Sequence, residues 1–192
     1  EQGDIDYVVI TGEADPTQNR RFIEAVCETV PEGISIELTT HNYNCEPMLV
    51  NCHNRIHTVS YSITNSRDYL RAWNWSINNC DYDIPMHRLV IILTDEFNFL
   101  NADNFNRMGF AQITFKTLQE SDDEEVNEWI RVHKMNDEHL NKIREIVAKY
   151  NGDDWCSIRL DESCQTAKGR YEIFRCDGNC YNSWEAKFPI DK

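Results

Sequence analysis

Three short oxygen-rich segments contain the residue types that could hold a cation or a polar ligand. Residues 11–15 (TGEAD) follow a short apolar run, residues 64–66 (TNS) precede a helical pattern, and residues 94–96 (TDE) follow the most apolar run of the chain. Carboxylate and hydroxyl oxygens are preferred ligands of Mg²⁺ and Ca²⁺. In open parallel sheets, ligands bind outside the carboxyl ends of the strands. We therefore expect the three segments to meet at one edge of a sheet.

The elements around these segments alternate between strands and helices. Apolar runs or alternating patterns predict strands at residues 7–10, 34–38, 59–63, 89–93, 113–115 and 155–160. Apolar spacing of three and four predicts helices at residues 22–30, 66–77, 124–130 and 136–147. Trp73 and Trp75 are two residues apart and do not share a helix face, so we expect one of them to be exposed.

This alternation predicts an α/β fold, namely a Rossmann-like, doubly wound, mostly parallel sheet with helices on both faces. Residues 1–160 are expected to form this domain. Residues 161–192 depart from the alternation, and we expect them to be a cysteine-rich extension that is tied by disulfides and packs on the same domain.

The cysteines indicate an oxidising compartment. There are eight of them, an even number, and no pair has the Cys-x-x-Cys spacing of zinc or redox motifs. Four disulfides are expected, with the connectivity left open. The cysteines are Cys27, Cys45, Cys52, Cys80, Cys156, Cys164, Cys176 and Cys180. The sequence Asn74-Trp75-Ser76 is a glycosylation site pattern at Asn74, so we expect a secreted or extracellular glycoprotein.

The net charge and the hydropathy of the chain indicate which classes of partner are expected. The formal net charge of -14 disfavours contact with phosphate backbones, so nucleic acid is an unexpected partner. The longest apolar run, residues 89–93, is far too short to span a membrane. An extracellular or cell-surface protein is the expected partner.

The order of motifs resembles the von Willebrand factor type A domain family, which includes the integrin inserted domains. Residues 64–70 (TNSRDYL) are similar to the family's loop-to-helix segment, and residues 88–95 (RLVIILTD) to its hydrophobic strand ending in Thr-Asp-Gly. Residues 136–143 (NDEHLNKI) resemble its last helix, and residues 154–160 its last strand. The resemblance covers roughly residues 5 to 160 of this chain.

This resemblance implies a non-enzymatic adhesion or ligand-binding module that recognises a macromolecular partner at the carboxyl-end face of its sheet. The expected ligand-binding face consists of Glu13, Asp15, Thr64, Ser66, Asp95 and Glu96.

The resemblance also bears on metal binding. Family members hold a divalent cation at this face, and the matching positions here would be Thr11, Glu13, Asp15, Thr64 and Asp95. The family's Asp-x-Ser-x-Ser element is missing, and Glu96 replaces the glycine after the aspartate. We therefore expect a degenerate metal site and no cofactor, with Mg²⁺ or Ca²⁺ binding as the alternative.

Two other functions fit the same residues. In a small glycosyltransferase-like enzyme, Asp95 and Glu96 would hold a metal-bound nucleotide sugar after a buried strand. In a structural subunit of an extracellular matrix or coat, the end of the sheet would carry no ligand.

Overall fold

The computed structural model describes residues 7–12, 14–43, 45, 52, 54–79, 86–100, 109–120, 123–150, 156–162, 173–174 and 180–181. The chain divides into two compact units, Glu1–Glu162 and Ser163–Lys192. The strands of the first unit are β1 (Tyr7–Ile10), β2 (Ser35–Thr40), β3 (Ile56–Ile63), β4 (Met86–Leu93), β5 (Gln112–Thr117) and β6 (Ser157–Asp161). Its helices are α1 (Arg20–Thr29), α2 (Ser66–Asn79), α3 (Glu124–His133) and α4 (Asp137–Tyr150), with short 3-10 helices at Pro16–Gln18 and Asp95–Phe97.

Side-chain caps fix where the helices begin. The carboxylate of Asp123 accepts from the backbone N–H groups of Glu125 and Val126 at the start of α3. The side-chain oxygen of Asn136 accepts from the N–H of His139 at 2.9 Å at the start of α4. Asp and Asn are favoured at this position because their oxygens satisfy the free N–H groups of the first turn.

The sheet of the first unit is parallel throughout, and its strand order is β1-β2-β3-β4-β5-β6. The predicted Rossmann-like α/β class with a parallel sheet is therefore confirmed. One detail differs from a doubly wound sheet, in which the strand order reverses at a switch point. Here the order is sequential, as in β/α barrels, and the described strands contain no such reversal.

One face of this sheet is the main core. Alternate residues of β4 are buried, namely His87, Leu89, Ile91 and Leu93. Buried side chains of α1, α2 and α4 belong to the same cluster. Crossovers between parallel strands are right-handed, so a sequential order places them on one face. Helices α1, α2 and α4 therefore share this face, whereas a doubly wound order would divide the helices between both faces.

The opposite face carries a chain of polar side chains that crosses five strands. Glu37 of β2 accepts from the hydroxyls of Tyr7 and Ser60, and from Nη1 of Arg88 at 2.8 Å. Nε of Arg88 in turn donates to Gln112 of β5 at 2.7 Å. These residues lie towards the amino ends of their strands except for Ser60, so the network ties the sheet together below its carboxyl ends.

Disulfides and the C-terminal extension stay predictions. In the structure Cys27 and Cys52 are free thiols, and Cys45 and Cys156 are buried. In the second unit, Ile173–Phe174 (β7) and Cys180–Tyr181 (β8) pair antiparallel. Cys80, Cys164 and Cys176 lie outside the described residues. Among the described helices, none has both the length and the apolar character needed to cross a membrane.

Candidate functional site

Two of the three oxygen-rich segments meet at the carboxyl ends of neighbouring strands. Thr94, directly after β4, donates from Oγ1 to the carbonyl of Thr64, directly after β3, at 3.4 Å. The backbone N–H and the hydroxyl of Ser66 both donate to Oε2 of Glu96 at 3.3 Å. The parallel pairing of β3 with β4 causes this meeting, because it brings both carboxyl ends to one edge. We call Thr64, Ser66, Asp95, Glu96 and His133 the carboxyl-end rim.

Helix α3 reaches this rim from the next strand. It begins after the carboxyl end of β5, and the residue that follows it, Lys134, forms an antiparallel bridge with Thr94. Nδ1 of His133 lies 3.5 Å from Oδ1 of Asp95. The C-terminal end of α3 is therefore fixed at the carboxyl end of β4, and α4 follows it on the path to β6.

The side of α3 that faces solvent carries apolar side chains, and we call it the exposed side of α3. Val126, Trp129 and Val132 are spaced three residues apart, and their exposed fractions are 44%, 50% and 71%. The ring of Trp129 lies 4.6 Å from the ring of His133, which connects this side to the rim. Contiguous exposed apolar patches that are rimmed by polar residues mark interaction surfaces.

Phe99 adds a second exposed aromatic side chain after the Asp95–Phe97 turn. Its ring lies 5.4 Å from the ring of Tyr69 in α2, with an edge-on geometry, and it is 44% exposed. The turn is anchored by Phe97, which is almost fully buried. The segment that carries Asp95 and Glu96 is therefore held by the core, while its polar side chains stay accessible.

Asp15 lies elsewhere and has a structural role. Its carboxylate accepts from the N–H and hydroxyl of Thr17, from the hydroxyl of Thr40 and from the N–H of His41, at 2.6 to 2.9 Å. These contacts join the loop after β1 to the end of β2. Burial alone would raise the pKa of Asp15, but the hydrogen bonds from Thr17, His41 and Thr40 outweigh it and lower the pKa.

The predicted metal-binding set is not assembled in one place. Two strands separate β1, which precedes Thr11 and Asp15, from β4, which precedes Asp95. At the usual strand spacing this is about 14 Å. Glu13 lies outside the described residues. Among the described side chains no group of three histidine, cysteine or carboxylate residues could hold a metal ion. The sequential strand order is the physical reason, because it places β2 and β3 between β1 and β4.

The two carboxylates that the glycosyltransferase alternative requires also do not point to one position. Asp95 faces His133, whereas Glu96 faces Ser66. Two carboxylates that hold one metal ion must point towards a common position. The structure gives these two side chains different partners.

Sequence reasoning found Thr64, Ser66, Asp95 and Glu96 but missed His133 and the exposed side of α3. The signal was present, because Val126, Trp129 and Ile130 are all apolar residues of the helix predicted at residues 124–130. Only Ile130 of these three is buried. An apolar surface wider than one buried stripe would have indicated a helix with a second, outward contact surface.

Asp15 gives a prediction about acid stability. Its pKa in the folded protein lies below the ordinary value of 3.8, so ionised Asp15 stabilises the fold at higher pH. That contribution is lost as the pH falls through the folded-state pKa. We expect the urea midpoint of the wild-type protein to fall more steeply below pH 3.8 than that of Asp15→Asn. Parallel pH profiles of the two proteins would contradict this role.

Comparisons with known proteins give matches among solved structures alone. No protein-family model matches this sequence, and no curated protein matches it. The chain is similar to a spore photoproduct lyase double mutant with bound AdoMet and dinucleoside spore photoproduct, with a TM-score of 0.45 and 11% identity. It is also similar to spore photoproduct lyase complexed with dinucleoside spore photoproduct, with a TM-score of 0.47 and 10% identity. Each match covers 83% of this chain and 62% of the other, so this chain spans less than two thirds of their length.

The prediction that this chain has no enzymatic activity is wrong as it was drawn, since both of these structures are of a lyase. That prediction depended on the family resemblance alone, and one fold supports both enzymes and binding proteins. We withdraw it, and we transfer neither the ligands nor the reaction of the lyase to this chain. Membership of the von Willebrand factor type A family stays a prediction.

Proposed function

We propose that the first unit binds a basic extracellular polypeptide at the carboxyl-end rim and the exposed side of α3. The observation that carries this proposal is the position of Trp129. It is half exposed on a helix whose end is fixed to the rim, and its ring packs on His133. Tryptophan, with tyrosine and arginine, is enriched among the side chains that dominate binding energy in protein interfaces.

Charge indicates the chemistry of the partner. Residues 123–134 contain four carboxylates, Asp123, Glu124, Glu125 and Glu128, against two basic residues, Arg131 and Lys134. Nη1 of Arg131 is already paired with Glu124 at 2.8 Å. Asp95 and Glu96 add negative charge at the rim. A surface of this sign attracts a cationic partner and accelerates its encounter with the protein.

The apolar groups give this surface its second property. Val126, Trp129 and Val132 would remove apolar area from water on binding, at about 25 cal/mol per Å². Hydrogen-bonding groups at the edge, such as those of Asp95 and Ser66, would then orient the partner. The surface therefore suits a chain that combines lysine or arginine with large apolar side chains.

We also propose that the protein is secreted and carries a glycan at Asn74. Asn74 is exposed on α2, where a glycan could be attached, whereas Ser76 of the same site pattern is buried and donates to the carbonyl of Trp73 at 2.9 Å. Attachment would therefore take place before α2 forms. Expression in a secreting eukaryotic cell, followed by treatment with a glycosidase, should lower the mass of the wild-type protein but not of Asn74→Gln.

Binding can be measured with a defined probe. We suggest a short fluorescein-labelled peptide in which lysines flank a central pair of leucines, followed by fluorescence anisotropy. Trp129→Ala should weaken its binding at least tenfold, about 1.4 kcal/mol, as expected for a central anchor. Asp95→Asn combined with Glu96→Gln should also weaken it, with a smaller dependence on salt than in the wild-type protein.

Matched controls lie at other parts of the molecule. Phe22 of α1 is 49% exposed, close to the value for Trp129, and α1 joins the two strands at the far side of the sheet. Glu32 is exposed before the amino end of β2. Phe22→Ala and Glu32→Gln should leave binding unchanged. Equal losses in Trp129→Ala and Phe22→Ala, or equal binding of a peptide with glutamates in place of the lysines, would refute the proposal.

A further inference from the structure

Cys27 and Cys52 meet away from the rim. Cys27 lies on α1 and Cys52 lies four residues before β3, yet both line one pocket of about 310 Å³ together with Glu24, Glu28 and Arg55. Both cysteines are buried and belong to the main core cluster, and the Cys52 thiol lies close enough to Cys27 to raise its pKa. Two neighbouring thiols are candidates for a disulfide, even where a long stretch of chain separates them.

Arg55 holds the two cysteines in this position. Its Nε donates to the carbonyl of Cys27 at 3.1 Å, and its Nη2 donates to the carbonyl of Val30 at 2.6 Å. The backbone N–H groups of Arg55 and Ile56 donate to the carbonyl of Cys52 at 2.8 and 3.0 Å. One residue therefore fixes the C-terminal end of α1 to the turn that contains Cys52.

We propose that Cys27 and Cys52 are a redox pair that closes to a disulfide when it meets a low-molecular-weight disulfide oxidant. One cysteine thiolate attacks the oxidant R–S–S–R, which forms a mixed disulfide and releases one R–S⁻. The second cysteine thiolate attacks the mixed disulfide, which forms the Cys27–Cys52 bond and releases the second R–S⁻. The two thiol protons are transferred to the leaving thiolates, so the cysteines are oxidised and the oxidant is reduced to two R–SH.

The surroundings of the pair indicate which oxidants suit it. Two carboxylates, Glu24 and Glu28, and one guanidinium, Arg55, border the pocket, so its net charge is negative and an anionic disulfide is disfavoured relative to a cationic one. Burial, followed by the contact with Cys52, raises the pKa of Cys27 to about 12. Its thiolate is therefore scarce at neutral pH, and oxidation should be slower than for an exposed cysteine and faster at higher pH.

Peptide mapping tests the pairing directly. The reduced protein is incubated with cystamine, a cationic disulfide, or with oxidised glutathione, and is then alkylated and digested without reduction. Chymotrypsin and a glutamyl endopeptidase cut after Glu28, Tyr43 and Leu49, so that Cys27, Cys45 and Cys52 fall in separate peptides. A peptide pair joined through Cys27 and Cys52 is expected, and it should form faster with cystamine. The Tm should rise by roughly 5–10 °C, because the bond closes a long loop.

Single-cysteine variants test whether the cross-linked peptide and the rise in Tm depend on this pair. Cys27→Ala and Cys52→Ala should each abolish the cross-linked peptide and the rise in Tm, whereas Cys45→Ala should keep both. Circular dichroism of the reduced variants shows whether they fold; if one does not, the cross-link map of the wild-type protein decides. Stable mixed disulfides without the internal bond, or a bond from Cys27 or Cys52 to Cys45, would overturn the proposal.

Discussion

Replacing Glu37 by alanine should lower the free energy of unfolding by about 3–5 kcal/mol, the usual cost of breaking a buried ion pair. The Glu37 side chain is 8% exposed and accepts from Tyr7, Ser60 and Arg88. Its removal leaves the Arg88 guanidinium without a carboxylate inside the sheet, and it also leaves two hydroxyls without their acceptor. Urea unfolding followed by circular dichroism measures the change.

Two further variants show whether charge or hydrogen bonding dominates at this position. Glu37→Gln keeps the volume and one acceptor oxygen, so it should lose less than Glu37→Ala. Glu138→Ala removes an exposed carboxylate that pairs with Lys142 within α4, and it should leave the urea midpoint unchanged. A loss below about 1 kcal/mol in Glu37→Ala would mean that the network does not hold the sheet together.

Replacing Tyr61 by alanine should cost a similar amount, about 3–5 kcal/mol, for a different reason. Tyr61 is 0% exposed and its ring contacts the rings of Tyr43, Trp75, His87 and Phe110, with centroids 4.9 to 6.0 Å apart. Its removal leaves a cavity between β3, β4 and α2. Because α2 begins at the rim with Ser66, the same change should also weaken peptide binding there.

Tyr61→Phe is the matched control for this cavity. It keeps the ring but removes the hydroxyl, whose oxygen lies 3.3 Å from Nδ1 of His87. The expected loss is about 0.5–1.5 kcal/mol, the typical net worth of one hydrogen bond. Equal losses in Tyr61→Phe and Tyr61→Ala would show that the hydroxyl, and not the packing of the ring, matters at this position.

The local structure was accessible from the sequence because hydrophobic periodicity reports burial. The run at residues 89–93 lies in β4, and the cap at Asn136 begins α4. Side-chain faces were harder to assign. We expected Trp73 or Trp75 to be exposed, yet both are partly buried and pack against the core. Trp75 reaches Tyr61 and Phe110, and Trp73 reaches Tyr69, because large rings extend beyond the face that their spacing defines.

The order of the strands in the sheet could not be predicted from hydrophobic periodicity. Alternating strands and helices predict a parallel sheet, but the pattern within each element is the same for a sequential order and for an order with a reversal. The predicted position of Asp15 was wrong for this reason. It was expected beside Asp95, whereas β1 pairs with β2, and Asp15 instead caps the Pro16–Gln18 turn and contacts Thr40.

The polar face of the sheet and the position of α3 show a further limit of what sequence patterns can predict. Glu37 interrupts an apolar strand, and Arg88 lies within β4. Charged residues at such positions suggest only that these strands are partly exposed to solvent. Their mutual contact joins residues 51 positions apart and depends on the register of β2, β3 and β4. The position of α3 over the carboxyl ends likewise depends on the Thr94–Lys134 bridge, which no spacing rule predicts.

The central claim, that a partner binds at the carboxyl-end rim and α3, is tested most directly by backbone NMR of the ¹⁵N-labelled protein during titration with the lysine–leucine peptide. We predict that the largest shift changes fall on residues 64–70, 94–99 and 124–134. Changes that concentrate instead on the amino-end edge, around residues 32–35 and 112, with α3 unaffected, would contradict the account.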